Sequence, residues 1–340
     1  MSGRLLGRRA QADRSMLAAC WYAHDVAGQN GWTVELTGDD LVELDRALVA
    51  AKRSQQPLLS VRRADFPLPT LGAKVARIAA SVDQQPGFCL LRGVPVHRYS
   101  DADLRLVHWG LGRHLGVPVS QDATGHLLRT ADTGRVDFHS GGSDVTAFLV
   151  GDGARTVSLV STGAVYNDVV LRRPDLAPRL FDTFHSDRSC EQEPGDSPHR
   201  PVSLACWSEG RFSLRYDRRD IARARCQADV PRLTGADFEL FDLIDEVAAS
   251  PILRHDIRLT AGDLLLVNNY DVLHSLRTGS STSDRRLLRL WLTLRGGRTL
   301  PPTFTWPTPT YGDTGGRGGV TPCDAVHRTH RQPEALAAVG

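Results

Sequence analysis

A segment near the C-terminal end of the chain alternates its side chains with a period of two. In "RRLLRLWLTLR" (285–295), the first set of alternate positions is Arg286, Leu288, Leu290, Leu292 and Leu294, and the second begins Arg285, Leu287, Arg289 and Trp291. Successive side chains of a strand point to opposite faces, so the pattern predicts one leucine face and one cationic face. A buried arginine needs an anionic partner. The cationic face is therefore either an anion-binding wall inside a barrel or, equally well, the exposed side of an edge strand.

The pattern of apolar segments and turns along the chain is consistent with such a barrel. From about residue 118, short apolar runs alternate with turns, interrupted by one helical pattern at 234–250. Earlier in the chain, helical spacing predicts helices at 40–53 and 70–84. A further helix begins after Ser100, which forms a capping-box pattern with Asp103. Short strands with helices packed outside predict a mainly β, α+β fold, namely a barrel or jelly roll buttressed by helices.

A single domain over 1–340 is the expected organisation, because no internal repeat or long low-complexity segment divides the chain. We assign helical elements to 1–85 and the β core to 86–300. The stretch 301–340 is rich in Pro, Gly and Thr, which predicts an irregular tail that wraps the surface.

Composition excludes several classes of function. The 41 basic and 39 acidic residues nearly cancel, and the arginines are scattered, so no nucleic-acid polymer is expected as a partner. No stretch is apolar for the length of a membrane span, and no apolar core follows the N-terminal arginines. We therefore predict a cytoplasmic protein without a membrane partner. The 6 cysteines lie far apart without a CxxC pair, which indicates free thiols rather than disulfides or a zinc site.

The segment "FHSGGSDV" (138–145) raises the main functional question. It begins like a metal-binding motif with His139, but Gly141 stands two residues later, where a mononuclear iron site uses a carboxylate. Glycine has no ligand atom. The segment is therefore a broken metal site, an accident, or a site that lacks one ligand by design.

Five segments, in this order along the chain, resemble the taurine dioxygenase/TfdA-like family of Fe(II)/2-oxoglutarate enzymes, and within it the clavaminate-synthase-like branch. They cover roughly 85–300 and read "LLRGVPV", "FHSGGSDV", "FSLRYDRRDI", "GDLLLVNNYDVLHS" and "DRRLLRLWL". The second-histidine and arginine segments together are the most specific part. The resemblance implies a double-stranded β-helix (jelly roll, cupin-like) core buttressed by helices, and it implies Fe(II), 2-oxoglutarate and O2 as cofactors.

The resemblance also assigns roles to individual residues. His139 matches the first iron ligand, and His274 matches the distal one. Arg285 matches the arginine that pairs with the far carboxylate of 2-oxoglutarate, a role suited to a bidentate guanidinium. Arg289, on the same face, would reach either the cosubstrate or an anionic group of the substrate. Thr156 is a further candidate contact to 2-oxoglutarate.

The departure from the family is Gly141, which stands at the position of the carboxylate ligand. Its presence removes one negative charge and opens one coordination position, and a halide supplies both a charge and a ligand. Fe(II)/2-oxoglutarate halogenases carry Gly or Ala in place of the acid, so the resemblance implies a halogenase that uses chloride. Asp144 and Ser143 would then support the metal site from outside.

Two other sources of a carboxylate remain open. Asp144 lies five residues after His139, an odd step that changes the side-chain direction on a strand, and it better matches a second, non-ligating acid of related sequences. His185 and Asp187 form an intact His-x-Asp pair just before a loop-like stretch. Such a pair arises easily by chance in a chain with 12 histidines, so we interpret His185 as a loop residue that contacts the substrate.

The class of function has two alternatives to a halogenase. A hydroxylase or desaturase could use the same scaffold with Asp144, a water or the two histidines alone. A decayed site would leave a non-catalytic, small-molecule-binding jelly roll. The joint presence of His139, His274, Arg285 and Arg289 favours a working enzyme.

The substrate is predicted from the arginines. Arg215, Arg218 and Arg219 in "RYDRRD", together with Arg289, could form a phosphate or carboxylate pocket, or they could pair with neighbouring acids. An arginine-lined pocket suits a small anionic metabolite, and the resemblance implies a role in natural-product biosynthesis. Between a nucleotide and a free amino acid, we favour the nucleotide. The pattern carries no indication of oligomeric state.

Overall fold

The computed structural model describes residues 20–122, 124–130, 135–187, 197–277, 286–301, 304 and 318–320. Within these residues there are seven α-helices: α1 (Ala23–Ala27), α2 (Gly38–Arg53), α3 (Leu71–Val82), α4 (Asp101–Leu115), α5 (Thr162–Arg172), α6 (Arg218–Ala224) and α7 (Gly235–Ala249). Short 3-10 helices lie at Leu58–Ser60, Arg63–Asp65, Val96–Arg98 and Ala177–Phe181.

Most of the remaining ordered structure is β. The described strands are β1 (Thr33–Glu35), β2 (Phe88–Arg92), β3 (Val117–Val119), β4 (Leu128–Thr130), β5 (Arg135–His139), β6 (Val145–Val150), β7 (Ala154–Ser161), β8 (Thr183–Asp187), β9 (His199–Ser203), β10 (Ala205–Ser208), β11 (Arg211–Leu214), β12 (His255–Thr260), β13 (Leu264–Asn268), β14 (Val272–Arg277) and β15 (Leu287–Thr293).

The strands form two main sheets. The larger has seven strands in the order β1-β2-β13-β6-β15-β3, with β4 also paired to β15, and the smaller has the order β12-β7-β14-β5. All pairs are antiparallel except β1 with β2. Two separate hairpins, β8-β9 and β10-β11, complete the β structure of the described chain. This arrangement of two facing sheets is the predicted jelly roll.

The faces of the strands follow the alternation of apolar side chains. Phe148 on β6 and Leu265 on β13 belong to one buried cluster with Leu159 on β7 of the smaller sheet, so this cluster fills the space between the sheets. Their sequence neighbours Leu149 and Leu266 belong to a second cluster that includes residues of α2, α3 and α4. Helices α5 and α7 contribute to a third. The helices therefore cover the outer faces of a double-layered β core, as predicted.

The predicted local elements are confirmed. Helix α4 begins where expected, because the Ser100 hydroxyl accepts a hydrogen bond from the Asp103 amide at 3.2 Å. The leucine face of β15 packs outward, since Leu288 and Leu290 join the cluster that contains α4. Cys20, Cys89, Cys206 and Cys226, the described cysteines, are free thiols; Cys190 and Cys323 lie outside the described residues. Across the described chain, no helix combines the length and the apolar character needed to cross a membrane.

A buried ion-pair network joins distant parts of the fold. The side chain of Arg298 is 3% exposed and donates to Asp271 at 2.9 Å and to Asp83 at 3.2 Å. Asp271 lies in the turn between β13 and β14, and Asp83 follows α3. Burial opposes ionisation of Asp83, but hydrogen bonds and charges from Arg211 and Arg298 outweigh it and hold the pKa of this carboxyl below its ordinary value of 3.8. The network therefore stabilises the ionised form of Asp83.

We expect Arg298→Met to lower the free energy of unfolding by about 3 kcal/mol, because it removes a buried cation that pairs with two partly buried carboxylates, Asp83 and Asp271. Arg173→Met is the matched control: Arg173 also pairs with two acids, Asp175 and Glu239, but its side chain is 39% exposed, so we expect a far smaller loss. Urea denaturation measures both. Equal losses would show that burial adds nothing to this network.

The loss of unfolding free energy in Arg298→Met should depend on pH. A carboxyl with a lowered pKa in the folded state stabilises the protein above its unfolded pKa, and this contribution is lost as the pH falls through the folded pKa. The deficit of Arg298→Met should be constant near neutrality and narrow below about pH 4, where Asp83 begins to protonate. A deficit that does not narrow in acid would contradict this account of Asp83.

Candidate active site

Two histidines from distant parts of the chain face each other on adjacent strands. In the antiparallel pairing of β5 with β14, His139 lies directly opposite His274. Residues directly opposite in such a pair project their side chains to the same face. The two imidazole rings accordingly lie 4.5 Å apart between centroids, at an interplanar angle of 51°. The structure thus brings together the two predicted iron ligands.

Both imidazoles are held in the neutral form. Burial lowers the pKa of His274 well below its usual value, and His139 and Arg289 lower it further. Burial also lowers the pKa of His139, although Asp217 and the Asp137 carbonyl oppose the shift. A neutral imidazole has one nitrogen with a lone pair available to a metal.

Hydrogen bonding decides which nitrogen is available. His139 Nδ1 lies 2.9 Å from the Asp137 carbonyl oxygen, which can only accept, so Nδ1 carries the proton and Nε2 carries the lone pair. His274 Nδ1 is buried and has no hydrogen-bond partner within the described residues. A pair of neutral imidazoles with an unsatisfied buried nitrogen fits a divalent transition-metal ion. No group of three or more His, Cys, Asp or Glu side chains in the described segments could hold a metal, so no described carboxylate completes a three-residue metal site with these two histidines.

The space beside Gly141 is already filled by the fold. A Cβ atom at this position would lie 2.5 Å from Thr146 Oγ1 and 2.9 Å from both side-chain polar atoms of Asn269. The Gly141 amide donates to Asn269 Oδ1 at 2.9 Å, and Asn269 Nδ2 donates to the Ser143 carbonyl at 2.9 Å. Because this network is buried, a side chain at 141 would have to displace it.

Asp144 is engaged in the scaffold. Its side chain is among the buried polar residues, at 2% exposure. One carboxylate oxygen accepts from the Tyr270 hydroxyl at 3.0 Å, and the other accepts from the Leu294 amide at 2.8 Å. The Ser143 hydroxyl donates to the Val145 carbonyl at 2.9 Å. Both residues therefore support the loop after His139, and the structure does not aim Asp144 at the histidines.

A cavity of about 380 Å³ opens beside the centre. His139, Gly141, Arg215, Arg289 and Trp291 are among the residues that line it. The predicted cationic face of β15 is thus the one that faces the cavity. The volume suits a small molecule.

The two arginines of this group are held by neighbouring residues. Arg289 Nε donates to Gln121 Oε1 at 2.7 Å, and its guanidinium lies 5.5 Å from the Trp291 ring centroid. Arg215 donates to the Phe304 carbonyl at 2.5 Å and stacks over the Phe304 ring at 5.4 Å. Held guanidiniums of this kind are suited to bind carboxylate or phosphate groups.

The other predicted arginines are paired with acids. Arg218 donates to Asp245 at 2.6 Å and to Asp242 at 2.7 Å, and Arg219 lies 3.7 Å from Asp137. Both line the cavity. For Arg218 and Arg219, the structure therefore agrees with the predicted alternative, in which the arginines pair with neighbouring acids.

Two predicted contacts to 2-oxoglutarate remain, Thr156 and Arg285. Thr156 lies on β7, where Val157 and Leu159 point inward, between the two sheets. Because side chains alternate along a strand, Thr156 points to the outer face. The structure does not bring it to the histidines. Arg285 lies outside the described residues.

His185 forms a different pair. Its Nδ1 lies 2.9 Å from Nδ1 of His199 across the β8-β9 hairpin, and it lines a separate cavity of about 130 Å³. The next residue, Ser186, lines the cavity of the histidine centre. His185 and Asp187 share a face that alternation turns away from that cavity, so they do not join His139.

Two residues of the site were missed in the sequence, Asn269 and Gln121. Asn269 holds the Gly141 loop, and Gln121 holds Arg289. The pair "NN" directly after the buried run "DLLLV" is a signal that could have identified Asn269, because polar residues seldom follow a buried strand without a partner. No comparable local signal precedes Gln121.

Two histidines that face each other on adjacent strands of a jelly roll match the two histidine ligands of a mononuclear non-heme iron site. Sequence comparison narrows the class. A profile described as "Taurine catabolism dioxygenase TauD, TfdA family" matches residues 52–291, and the chain belongs to this family. The predicted superfamily is therefore confirmed.

Individual proteins are similar over most of the chain. FR-33289 synthase from Streptomyces rubellomurinus is 26% identical over 320 residues, covering 84% of this chain and 92% of that protein. Taurine hydroxylase-like protein SAT17 from Stachybotrys chartarum is 24% identical over 304 residues, covering 79% and 77%.

Solved structures share the fold. An asparagine oxygenase in complex with Fe(II), 3-hydroxyasparagine and succinate has a TM-score of 0.58 at 16% identity, covering 80% of this chain and 97% of that one. The non-heme iron oxygenase OrfP in complex with Fe has a TM-score of 0.52 at 14% identity, covering 80% and 98%. The predicted jelly roll is confirmed.

The choice between the two histidine pairs can be tested by metal binding. We expect His274→Ala to weaken binding of Fe(II) or Co(II) by at least about 100-fold, because one of two protein ligands is lost. His185→Ala should leave the affinity unchanged, since its partner is His199. Anaerobic titration calorimetry measures both variants. Loss of metal binding in His185→Ala would mean that the centre lies at the hairpin.

The packing around Gly141 makes a separate prediction. Gly141→Ala should lower the free energy of unfolding by about 1–3 kcal/mol, because the new methyl group overpacks Thr146 and Asn269. Gly235→Ala is the control: a Cβ there meets nothing within 4 Å, and the residue begins helix α7. Alanine at Gly235 should be neutral or slightly stabilising. Thermal denaturation compares the two, and equal stability of both variants would contradict the filled space at Gly141.

Proposed function

We propose that the protein is a non-heme Fe(II)/2-oxoglutarate-dependent halogenase that replaces an unactivated C–H bond of a small anionic metabolite by C–Cl. The observation that carries the proposal is the neutral pair His139 and His274 beside Gly141, with no protein carboxylate in the described residues to complete a facial triad. A halide supplies the charge and the ligand that the missing acid would give. We treat the chain as a single catalytic domain.

Each part of the chain has a role in this proposal. Bound iron, with 2-oxoglutarate and O2, supplies the oxidising power for hydrogen abstraction. His139 and His274 hold the iron through neutral nitrogens. Gly141 supplies no ligand atom, so one coordination position of the iron is left for chloride, and Asn269 keeps the backbone of Gly141 in place. Asp144 binds Tyr270 and the Leu294 amide, so it would not take that coordination position.

The arginines bind the anionic partners. Arg289 lies close enough to both histidines to lower their pKa, so it stands next to the reacting centre. We assign it to a carboxylate of 2-oxoglutarate or to an anionic group of the substrate, and Arg215 to the substrate. Arg285 keeps the role implied by the family, the far carboxylate of 2-oxoglutarate. The cavity of about 380 Å³ accommodates a small metabolite of the size of a nucleotide or an amino acid.

The relatives bear on the biological setting and on the second candidate. FR-33289 synthase carries the name of a product, which supports a role in natural-product biosynthesis. SAT17 is called hydroxylase-like, and the similar structures are named oxygenases. These names favour hydroxylation as the alternative reaction on the same scaffold. The absence of an acid beside the described histidines favours halogenation.

Chloride dependence separates the two candidates without a known substrate. Fe(II) and 2-oxoglutarate are added anaerobically, and the visible charge-transfer band is recorded with and without chloride. We expect chloride to shift or strengthen the band and to tighten 2-oxoglutarate binding. Gly141→Asp should abolish this response, because the carboxylate brings its own charge and displaces the Thr146–Asn269 network. Gly235→Ala serves as the control that retains it.

Each outcome has a distinct meaning. A wild-type band that ignores chloride would favour the hydroxylase. A Gly141→Asp variant that still responds to chloride would refute the assignment of Gly141 to the halide position. Absence of any band would leave a small-molecule-binding protein.

A further inference from the structure

A short segment near the C-terminal end lies against the loop that follows His139. We name Gly318–Val320 the C-terminal strap. The Gly319 amide donates to the Gly142 carbonyl at 2.6 Å, and the Val320 amide donates to the Ser120 carbonyl at 2.9 Å. All three residues of the strap are buried. Main-chain hydrogen bonds therefore connect residues that are far apart in sequence.

Glycine is required in the strap for two physical reasons. Gly318 and Gly319 have φ angles of +76° and +79°, which side chains disfavour. In addition, a Cβ at Gly319 would lie 2.8 Å from Val119 Cβ and 2.9 Å from the Ser120 carbonyl oxygen. A Cβ at Gly318 would lie 3.0 Å from Ser143 Cα. Only glycine lets Gly318 approach the loop after His139 and Gly319 approach residues 119–120 this closely.

The loop is held on its other sides as well. A Cβ at Gly142 would lie 2.7 Å from the Trp291 ring, so the ring packs directly on the Gly142 backbone. Asn269 binds the Gly141 amide at 2.9 Å. The strap, Trp291 and Asn269 therefore fix the two consecutive glycines after His139 by three independent contacts.

We propose that the C-terminal strap is a positioning element of the active site, which holds the backbone of residues 141–142 and thereby the iron coordination position to which Gly141 contributes no ligand. Gly319 and Val320 also line the cavity that contains His139 and Arg289, so the strap forms part of its wall. For the identity of the ligand in that position, this inference rests on the proposed function. The contact between strap and loop does not.

The type of contact distinguishes positioning from simple surface coverage. A tail that only covers apolar surface places side chains on the core. Here the strap approaches with two glycines, and its amide binds the carbonyl of Gly142, one residue from Gly141. Movement of the strap is thus transmitted to the loop through a hydrogen bond and through hard backbone contact.

Gly319→Ala tests the proposal, with Gly210→Ala as the matched control. Gly210 has a φ of +75°, but a Cβ there meets nothing within 4 Å, so this variant reports the conformational penalty alone. In the metal-free protein, we expect hydrogen exchange of the amides of residues 140–146 to accelerate at least about tenfold in Gly319→Ala and to stay unchanged in Gly210→Ala. Unchanged exchange in Gly319→Ala would overturn the proposal.

A spectroscopic measurement adds a readout that a merely structural role would not change. The chloride concentration at the midpoint of the Fe(II)–2-oxoglutarate band response should rise at least about tenfold in Gly319→Ala relative to Gly210→Ala, although both retain His139 and His274. An identical midpoint in the two variants would contradict positioning of the coordination site. If the wild-type band ignores chloride, the proposed function fails, and hydrogen exchange still decides on the strap.

Gly318→Ala provides a second variant if Gly319→Ala does not fold. Its φ of +76° matches that of Gly210, but its Cβ meets Ser143 Cα at 3.0 Å, a milder conflict than at Gly319. We expect a smaller acceleration of exchange in the same residues, still above that of Gly210→Ala. Exchange equal to that of Gly210→Ala would count against the strap.

Discussion

The antiparallel register of β5 with β14 is the constraint on which the site depends. His139 and His274 meet because they are directly opposite in this pairing, and a slip of one residue would turn one of them to the other face. The turn before β14 secures the register. Tyr270 binds Asp144 and Asp271 binds the buried Arg298, so polar groups hold a turn that carries an active-site histidine on the following strand.

Asn269 lies in the same turn and connects the paired strands β5 and β14 to the backbone of Gly141. Its amide oxygen accepts from Gly141, and its amide nitrogen donates to Ser143 and to Thr146. The side chain is fully buried, so these hydrogen bonds replace water that it cannot reach. The glycine therefore belongs to a network that has no room for a side chain. A mutation that simply deleted a ligand from an existing site would not require this packing.

Local geometry explains which parts of the molecule could be predicted from the sequence. The period of two in 285–295 correctly places Arg289 toward the cavity and Leu288 toward the helices, because alternation is a property of a single strand. The pairing of His139 with His274 required the family resemblance, since register depends on two distant strands. Thr156 shows the limit of prediction from a single strand, because choosing a residue one position away along the strand places the side chain on the opposite face of the sheet. The strap has no periodicity, so its contact with the loop could be found only in three dimensions.

Hydrogen bonding holds Asp144, the one acid of the segment 138–145, within the scaffold. Asp144 lies three residues after Gly141, but its two oxygens bind Tyr270 and the Leu294 amide inside the scaffold. The two imidazoles are neutral, Arg289 lies near both of them, and a bound divalent ion would add positive charge there. Such a charge would attract an anion. In the proposed function, this anion is the chloride that completes the ligands of the iron beside His139 and His274.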